Sequence, residues 1–129
     1  MTEVVLDASA LIAMLRKEPG ATTVAEALTR ARMSVVNFAE VISHFLYTGV
    51  PQAELDEMLA ALRLSLVDAD AELAWTAGGL RRATAEAGLS LGDRFCLARG
   101  ARDRLAVWTA DRRWRTIADK VGVEIVLIR

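Results

Sequence analysis

Short apolar runs alternate with longer stretches of helical spacing along almost the whole chain, and this alternation constrains the fold more than any single residue does. Glu3-Val4-Val5-Leu6-Asp7, Met33-Ser34-Val35-Val36, Leu64 to Val67, Leu105 to Thr109 and Val123 to Ile128 read as strands. Between them the pattern predicts helices over 8–15, from Thr22 or Thr23 to about Ala31, and from Asn37 to Tyr47. Further helices are predicted over 51–62, 70–87, 90–103 and 111–121. Pro19-Gly20 and Gly88 are breaks, and Gly78-Gly79 either kinks or splits the helix that contains it. Strands separated by helices pair in parallel through right-handed crossovers, so the expected fold is α/β with a small, mainly parallel central sheet.

A chain of 129 residues supports one ordinary domain, residues 1–129, with a single core. No uninterrupted apolar run reaches the roughly 18 residues of a membrane span. Met1-Thr2-Glu3 lacks the basic region of a secretory signal, and a single cysteine, Cys96, excludes an intrachain disulfide. A cytoplasmic protein without a membrane partner is the expectation.

Four acids stand at the transitions between elements. Asp7 follows the first strand, Asp111 follows Thr109 by two residues, and Glu40 and Asp93 fall in the first turns of predicted helices. In parallel sheets, ligands bind outside the carboxyl ends of the strands, where helix N-termini converge, so all four can meet at one edge. Each has a plain alternative as a helix cap worth about 1 kcal/mol, and Asn37 to Glu40 and Ser90 to Asp93 fit or approximate capping boxes. Asp7 shifts the balance. A carboxylate after a buried strand is costly unless a cation or several donors compensate it. Mg²⁺ or Mn²⁺ suits an all-oxygen set, while one His and one Cys cannot furnish a zinc site.

Such a set points to hydrolytic phosphoryl chemistry. Asp7 and Asp93 are the foremost ligands, Asp111 ligates directly or through water, and Glu40 either ligates or accepts a proton from the attacking water. Ser9 and Thr109 can orient the carboxylates.

The formal charge is −1, yet seven arginines lie between Arg94 and Arg115, whereas the segment from Glu54 to Glu72 is acidic. Arg94, Arg112, Arg113 and Arg115 adjoin two of the acids and are candidates for holding nucleic-acid phosphates, the alternative being a solvated face. Trp114 offers a ring for base stacking, while Trp75 and Trp108 read as core. His44, four residues after Glu40, reads as a packed or surface histidine rather than a ligand, and Cys96 as core. Leu11, Ile12, Met14 and Leu15, with Val41, Ile42, Phe45 and Leu46, serve either the core or a partner surface.

Val5-Leu6-Asp7-Ala8-Ser9-Ala10-Leu11, Asn37-Phe38-Ala39-Glu40-Val41, Leu91-Gly92-Asp93-Arg94-Phe95-Cys96-Leu97-Ala98 and Thr109-Ala110-Asp111 together resemble the PIN-domain superfamily, most closely its VapC-type toxins. The resemblance spans nearly the whole chain. It implies a PIN-like α/β/α sandwich, a Mg²⁺- or Mn²⁺-dependent endoribonuclease, usually a homodimer, and a cognate VapB-type antitoxin. Asp7, Glu40, Asp93 and Asp111 fall at the family's acidic positions, and Ser9 and Thr109 at its hydroxyl positions.

Two rivals remain. A phosphatase resembling the haloacid dehalogenase group also begins with an Asp after a strand, but wants a second Asp where this chain has Ser9. A PIN-like module that binds RNA or protein without cutting is the other.

Overall fold

The computed structural model describes residues 2–129. Five strands, β1 (Val4–Leu6), β2 (Ala31–Ser34), β3 (Ser65–Val67), β4 (Val107–Thr109) and β5 (Ile125–Leu127), form one parallel sheet in the order β3-β2-β1-β4-β5. The helices are α1 (Ala8–Leu15), α2 (Ala21–Ala27), α3 (Val35–Tyr47), α4 (Gln52–Leu62), α5 (Ala71–Gly79), α6 (Arg81–Thr84), α7 (Leu91–Asp103) and α8 (Ala118–Val121), with 3₁₀ turns at Leu28–Arg30 and Arg112–Ile117. Among the described residues, no helix is long and apolar enough to cross a membrane.

Alternation along β1 divides the core in two. Val4 and Leu6 pack with Leu11, Val24, Val41 and Leu55 from the first four helices. Val5 faces the other way, onto Cys96 and Leu97 of α7 and onto Val107 and Trp114. Helices therefore cover both faces, as an all-parallel sheet requires. Gly100 lets α7 lie close to the sheet, because a Cβ there would run into Val107 and come within 3.1 Å of Val123.

The chain leaves β1 for β2 and β3 on one side, then returns to the other side as β4. The strand order thus reverses between β1 and β4. A crevice opens at the carboxyl ends of strands where such a reversal occurs.

Three boundaries differ from the sequence expectation. β2 stops at Ser34, whose buried hydroxyl accepts a hydrogen bond from Val36 N at 3.2 Å, so Val35 and Val36 start α3 instead of extending the strand. Glu40 consequently lies in the second turn of α3, not the first. The predicted 70–87 helix divides after Gly79 into α5 and α6, and the 111–121 segment is mostly a 3₁₀ helix before the short α8. The Pro19-Gly20 break is also sterically fixed. Gly20 has φ +94°, and a Cβ there would lie 2.6 Å from the Ile128 carbonyl oxygen.

Candidate active site

Asp7 follows β1 where the strand order reverses, its backbone N donating to the Trp108 carbonyl of β4 at 2.9 Å. It occupies the position before α1 but makes no side-chain capping bond there, so its carboxylate is committed to something other than capping. Oδ2 accepts hydrogen bonds from Ser9 Oγ at 2.7 Å and Thr109 Oγ1 at 3.0 Å. The same hydroxyls accept from the backbone after β4, Ser9 from Ala110 N at 2.9 Å and Thr109 from Asp111 N at 3.1 Å. Each hydroxyl therefore ties Asp7 across the switch point. Oδ1 is buried with no protein partner. Burial, with Asp93 and Glu40 nearby, pushes the Asp7 carboxyl up to about 7 despite the two hydroxyl donors.

Glu40 reaches the same neighbourhood from α3. Asn37, one turn earlier, donates to Glu40 Oε1 at 2.8 Å and to the Gly92 carbonyl at 2.9 Å, clasping α3 to the start of α7. The contact tolerates no side chain at Gly92, where a Cβ would lie 2.5 Å from the Glu40 carboxylate. Partial burial raises the Glu40 carboxyl, the Asn37 bond opposes this, and the Asp93 charge adds to the rise.

Asp93 completes a capping box on α7. Its Oδ2 accepts from Ser90 N at 2.8 Å while Ser90 Oγ accepts from Asp93 N at 3.2 Å. The cap and the charge coexist: Asp93 secures its helix and still acts electrostatically on Asp7 and Glu40.

Asp111 is differently engaged. Its Oδ1 caps the following 3₁₀ helix through Arg113 N at 3.0 Å, and the Arg113 guanidinium covers the carboxylate, with Nη2 2.6 Å from Oδ2. Arg113 also donates to the Gly88 carbonyl at 3.0 Å and holds the Asp111 carboxyl below the usual range. Asp111 lies at the same sheet edge but is paired to Arg113.

The arginine and tryptophan expectations need correction. Arg94 is buried and donates to the Leu89 carbonyl at 3.1 Å, so its guanidinium is engaged by the fold. Arg112 and Arg115 are exposed and make no ion pair among the described residues. Trp114 is fully buried and cannot stack on a base, because the 3₁₀ turn carries its ring into the core. Trp75 is 84% exposed, since Leu73 and Ala77 form the buried face of α5 and position 75 lies on its far side. Trp108 is half-buried, with the Arg30 guanidinium 5.5 Å from its ring centre. Cys96 is core, and burial drives its thiol well above the ordinary range. His44 stands beside Arg16, 3.4 Å from Nη1, away from the acids' hydrogen bonds.

Asn37 and Gly92 are the functional candidates that the sequence reading missed. Asn37 stood in the sequence as a helix cap and, like Gly92, as a motif residue without a role of its own, and the signal for Gly92, a glycine one residue before an acid in a first turn, has no local meaning. Among the described residues, no three His, Cys, Asp or Glu side chains converge into a ready-made metal cage. The donor chemistry nevertheless fits a hard divalent cation: an all-oxygen set, a sealed and unpartnered Asp7 Oδ1, and two carboxyls raised by burial beside a third acid. Mg²⁺ retains several waters and needs only one or two direct carboxylates, so a closed cage is not required.

Residues 4–120 match the PIN domain family profile. The chain belongs to the PIN-domain family. This PIN domain is similar throughout its length to a DNA-bound VapBC structure from Salmonella typhimurium, with 20% identity, full coverage of both chains and a TM-score of 0.75. A toxin–antitoxin complex from Klebsiella pneumoniae is similar at 21% identity over 98% of each chain, TM-score 0.71. VapBC-5 from Mycobacterium tuberculosis is similar at 24% identity over 98% of this chain and 99% of that one, TM-score 0.66. At these identities the likeness is one of fold. No curated protein sequence matches the chain.

Proposed function

We propose that this PIN domain is a Mg²⁺- or Mn²⁺-dependent endoribonuclease, the toxin of a VapBC-type pair, acting in the cytoplasm as a homodimer restrained by a VapB-type antitoxin. The observation that carries the reading is Asp7: a sealed carboxylate at the switch point, pinned by Ser9 and Thr109, with one oxygen unpartnered and its pKa raised by burial and, less, by two other acids. The similarity to VapBC structures supports the toxin and antitoxin roles.

Asp7 and Asp93 would hold the ion, with Glu40 beside them and Asp111 joining when it parts from Arg113. When bound, the ion supplies Lewis-acid chemistry, making the attacking water more acidic and offsetting charge on the phosphoryl oxygens. Glu40, raised above its ordinary pKa, is suited to take the proton from that water, and Asn37 holds its carboxylate in place for the transfer. Ser9 and Thr109 fix the orientation of Asp7. The exposed Trp75, beside Ala71, Ala74 and Gly78, offers an apolar surface suited to a second protein chain.

The haloacid dehalogenase-like reading loses ground because Ser9 stands where the second Asp is needed and spends its hydroxyl on Asp7. The non-catalytic reading draws on Asp111, which is occupied by Arg113. Asp7→Asn separates these readings. It is expected to abolish metal-dependent RNA cleavage and growth arrest while circular dichroism stays unchanged. Wild-type cleavage by the variant would overturn the mechanism. Tight RNA binding by the parent in Mg²⁺ with no cleavage of cellular RNA would establish the binding module instead.

A further inference from the structure

From Glu40, α3 carries a stripe whose further residues neither the core nor the proposed chemistry uses. Glu40, His44 and Tyr47 are spaced i, i+4 and i+7, so they share one stripe of the helix. With Ala39 and Ser43 they line a groove of about 570 Å³. Tyr47 is 92% exposed although the same helix buries Val41 and Phe45, so its ring is free of the core. At 1.5 Å per residue, Tyr47 lies about 10 Å along the axis from Glu40, a distance a single strand crosses within a few nucleotides.

The chemistry changes along this stripe. The catalytic candidate Glu40 forms one end and the phenol ring the other, and the Arg16 guanidinium stands beside the stripe, with Nη1 3.4 Å from His44 Nε2. Arg16 is also paired through Nε with Glu18 at 3.3 Å, and Nη1 faces His44, which leaves Nη2 for a second anion. An aromatic face, a nearby guanidinium and a small-residue floor are the parts of a site for unpaired nucleic acid, where bases stack and phosphates pair. A peptide helix would want a continuous apolar lining, whereas Glu40, Ser43 and His44 interrupt this one.

We propose that this groove is a subsite for an unpaired nucleotide of the RNA, its base stacked on Tyr47 and its phosphate held by Arg16, which His44 positions by accepting from its guanidinium. The proposal rests on the ribonuclease reading above. Because a ring stacks on any base, the subsite selects for unpaired RNA near the cut rather than for one base.

The test measures binding of a labelled single-stranded oligoribonucleotide of about ten nucleotides, within the usual footprint of such sites, in an Asp7→Asn background that prevents cleavage. Tyr47→Ala is expected to weaken Kd about tenfold, Tyr47→Trp to retain binding, and Tyr47→Leu to behave like alanine. In the active chain, Tyr47→Ala should raise KM while kcat stays near the parent value. Unchanged binding in Tyr47→Ala, or leucine substituting as well as tryptophan, overturns the subsite. So does a Tyr47→Ala variant that loses only its grip on a VapB-type antitoxin, which would assign the groove to protein. If the parent chain neither binds nor cuts RNA, the ribonuclease reading itself fails and takes the subsite with it; parent cleavage with an indifferent Tyr47 refutes the subsite alone.

Discussion

Burial, with Oδ1 sealed away from solvent, makes the Asp7 carboxyl favour its protonated form up to about pH 7 when no cation is present, even though two hydroxyls donate to Oδ2 and oppose the rise. Its pKa rises from 3.8 to about 7, so between these values the folded state binds a proton that the unfolded chain releases. The associated stability is fully present below the unfolded value, declines as pH rises through the window, and is gone above about 7. Glu40 is raised and acts in the same sense. Asp7→Asn keeps the shape and removes the charge. The metal-free variant is therefore expected to melt several degrees above the parent at pH 8 and close to it at pH 4, a kcal/mol being worth roughly 3–6 °C at this size. Mn²⁺ should raise the parent's Tm and leave the variant's unchanged. Equal melting temperatures at pH 8 would mean that Asp7 is not charge-strained. The position of Asp7 was legible because a carboxylate after Val4-Val5-Leu6 is locally expensive, whereas the Arg113 clamp on Asp111 depends on a rotamer and on the distant Gly88 carbonyl, neither of which a sequence displays.

Elements were legible where one face alone decided them. β1, β4 and α7 lie close to where the apolar patterns put them, but Val35 and Val36 continued an apolar run and concealed the capping Ser34. Trp75 was misplaced by reading its neighbours rather than its face, since Leu73 and Ala77, four apart, already marked the buried side of α5. The junction of α3 with α7 was illegible altogether, because its parts are 55 residues apart. That junction yields a separable prediction. In Gly92→Ala the new Cβ falls 2.5 Å from the Glu40 carboxylate, the mobile end of a side chain, so the helix survives while Glu40 is displaced. Alanine is also the better helix former, by about 0.5–1 kcal/mol. RNA cleavage should fall on the order of a hundredfold, as misplacement by about 1 Å can cost that much, with Tm within a few degrees of the parent. A variant that unfolds, or one that cuts normally, would remove Gly92 from the positioning of Glu40.

Across the whole molecule, the arginine-rich segment is less available than its composition implied. Arg99 is spent on Asp103 at 3.2 Å and the Asp68 carbonyl at 2.6 Å, Arg102 on Asp70 at 2.8 Å, and Arg94 and Arg113 on the contacts that fix the edges of the crevice. Much of the segment's charge holds α7 to its surroundings. Arg112 and Arg115 remain exposed and unpaired beside Asp111. If RNA crosses the carboxyl edge of the sheet, these two supply phosphate contacts there, and their removal acts on counterion release rather than on the fold. For a single strand, each phosphate contact contributes roughly 0.7 to the slope of log Kd against log salt. The double variant Arg112→Ala/Arg115→Ala, in the Asp7→Asn background, should bind RNA more weakly at low salt and with a slope flatter by about 1.4, its melting temperature unchanged. Arg99→Ala should do the opposite, lowering Tm by freeing Asp103 from a partner and leaving the slope alone. An unchanged slope in the double variant would send the RNA path away from the 3₁₀ segment and toward the α3 side of the crevice, where Arg16 becomes the cation to remove next.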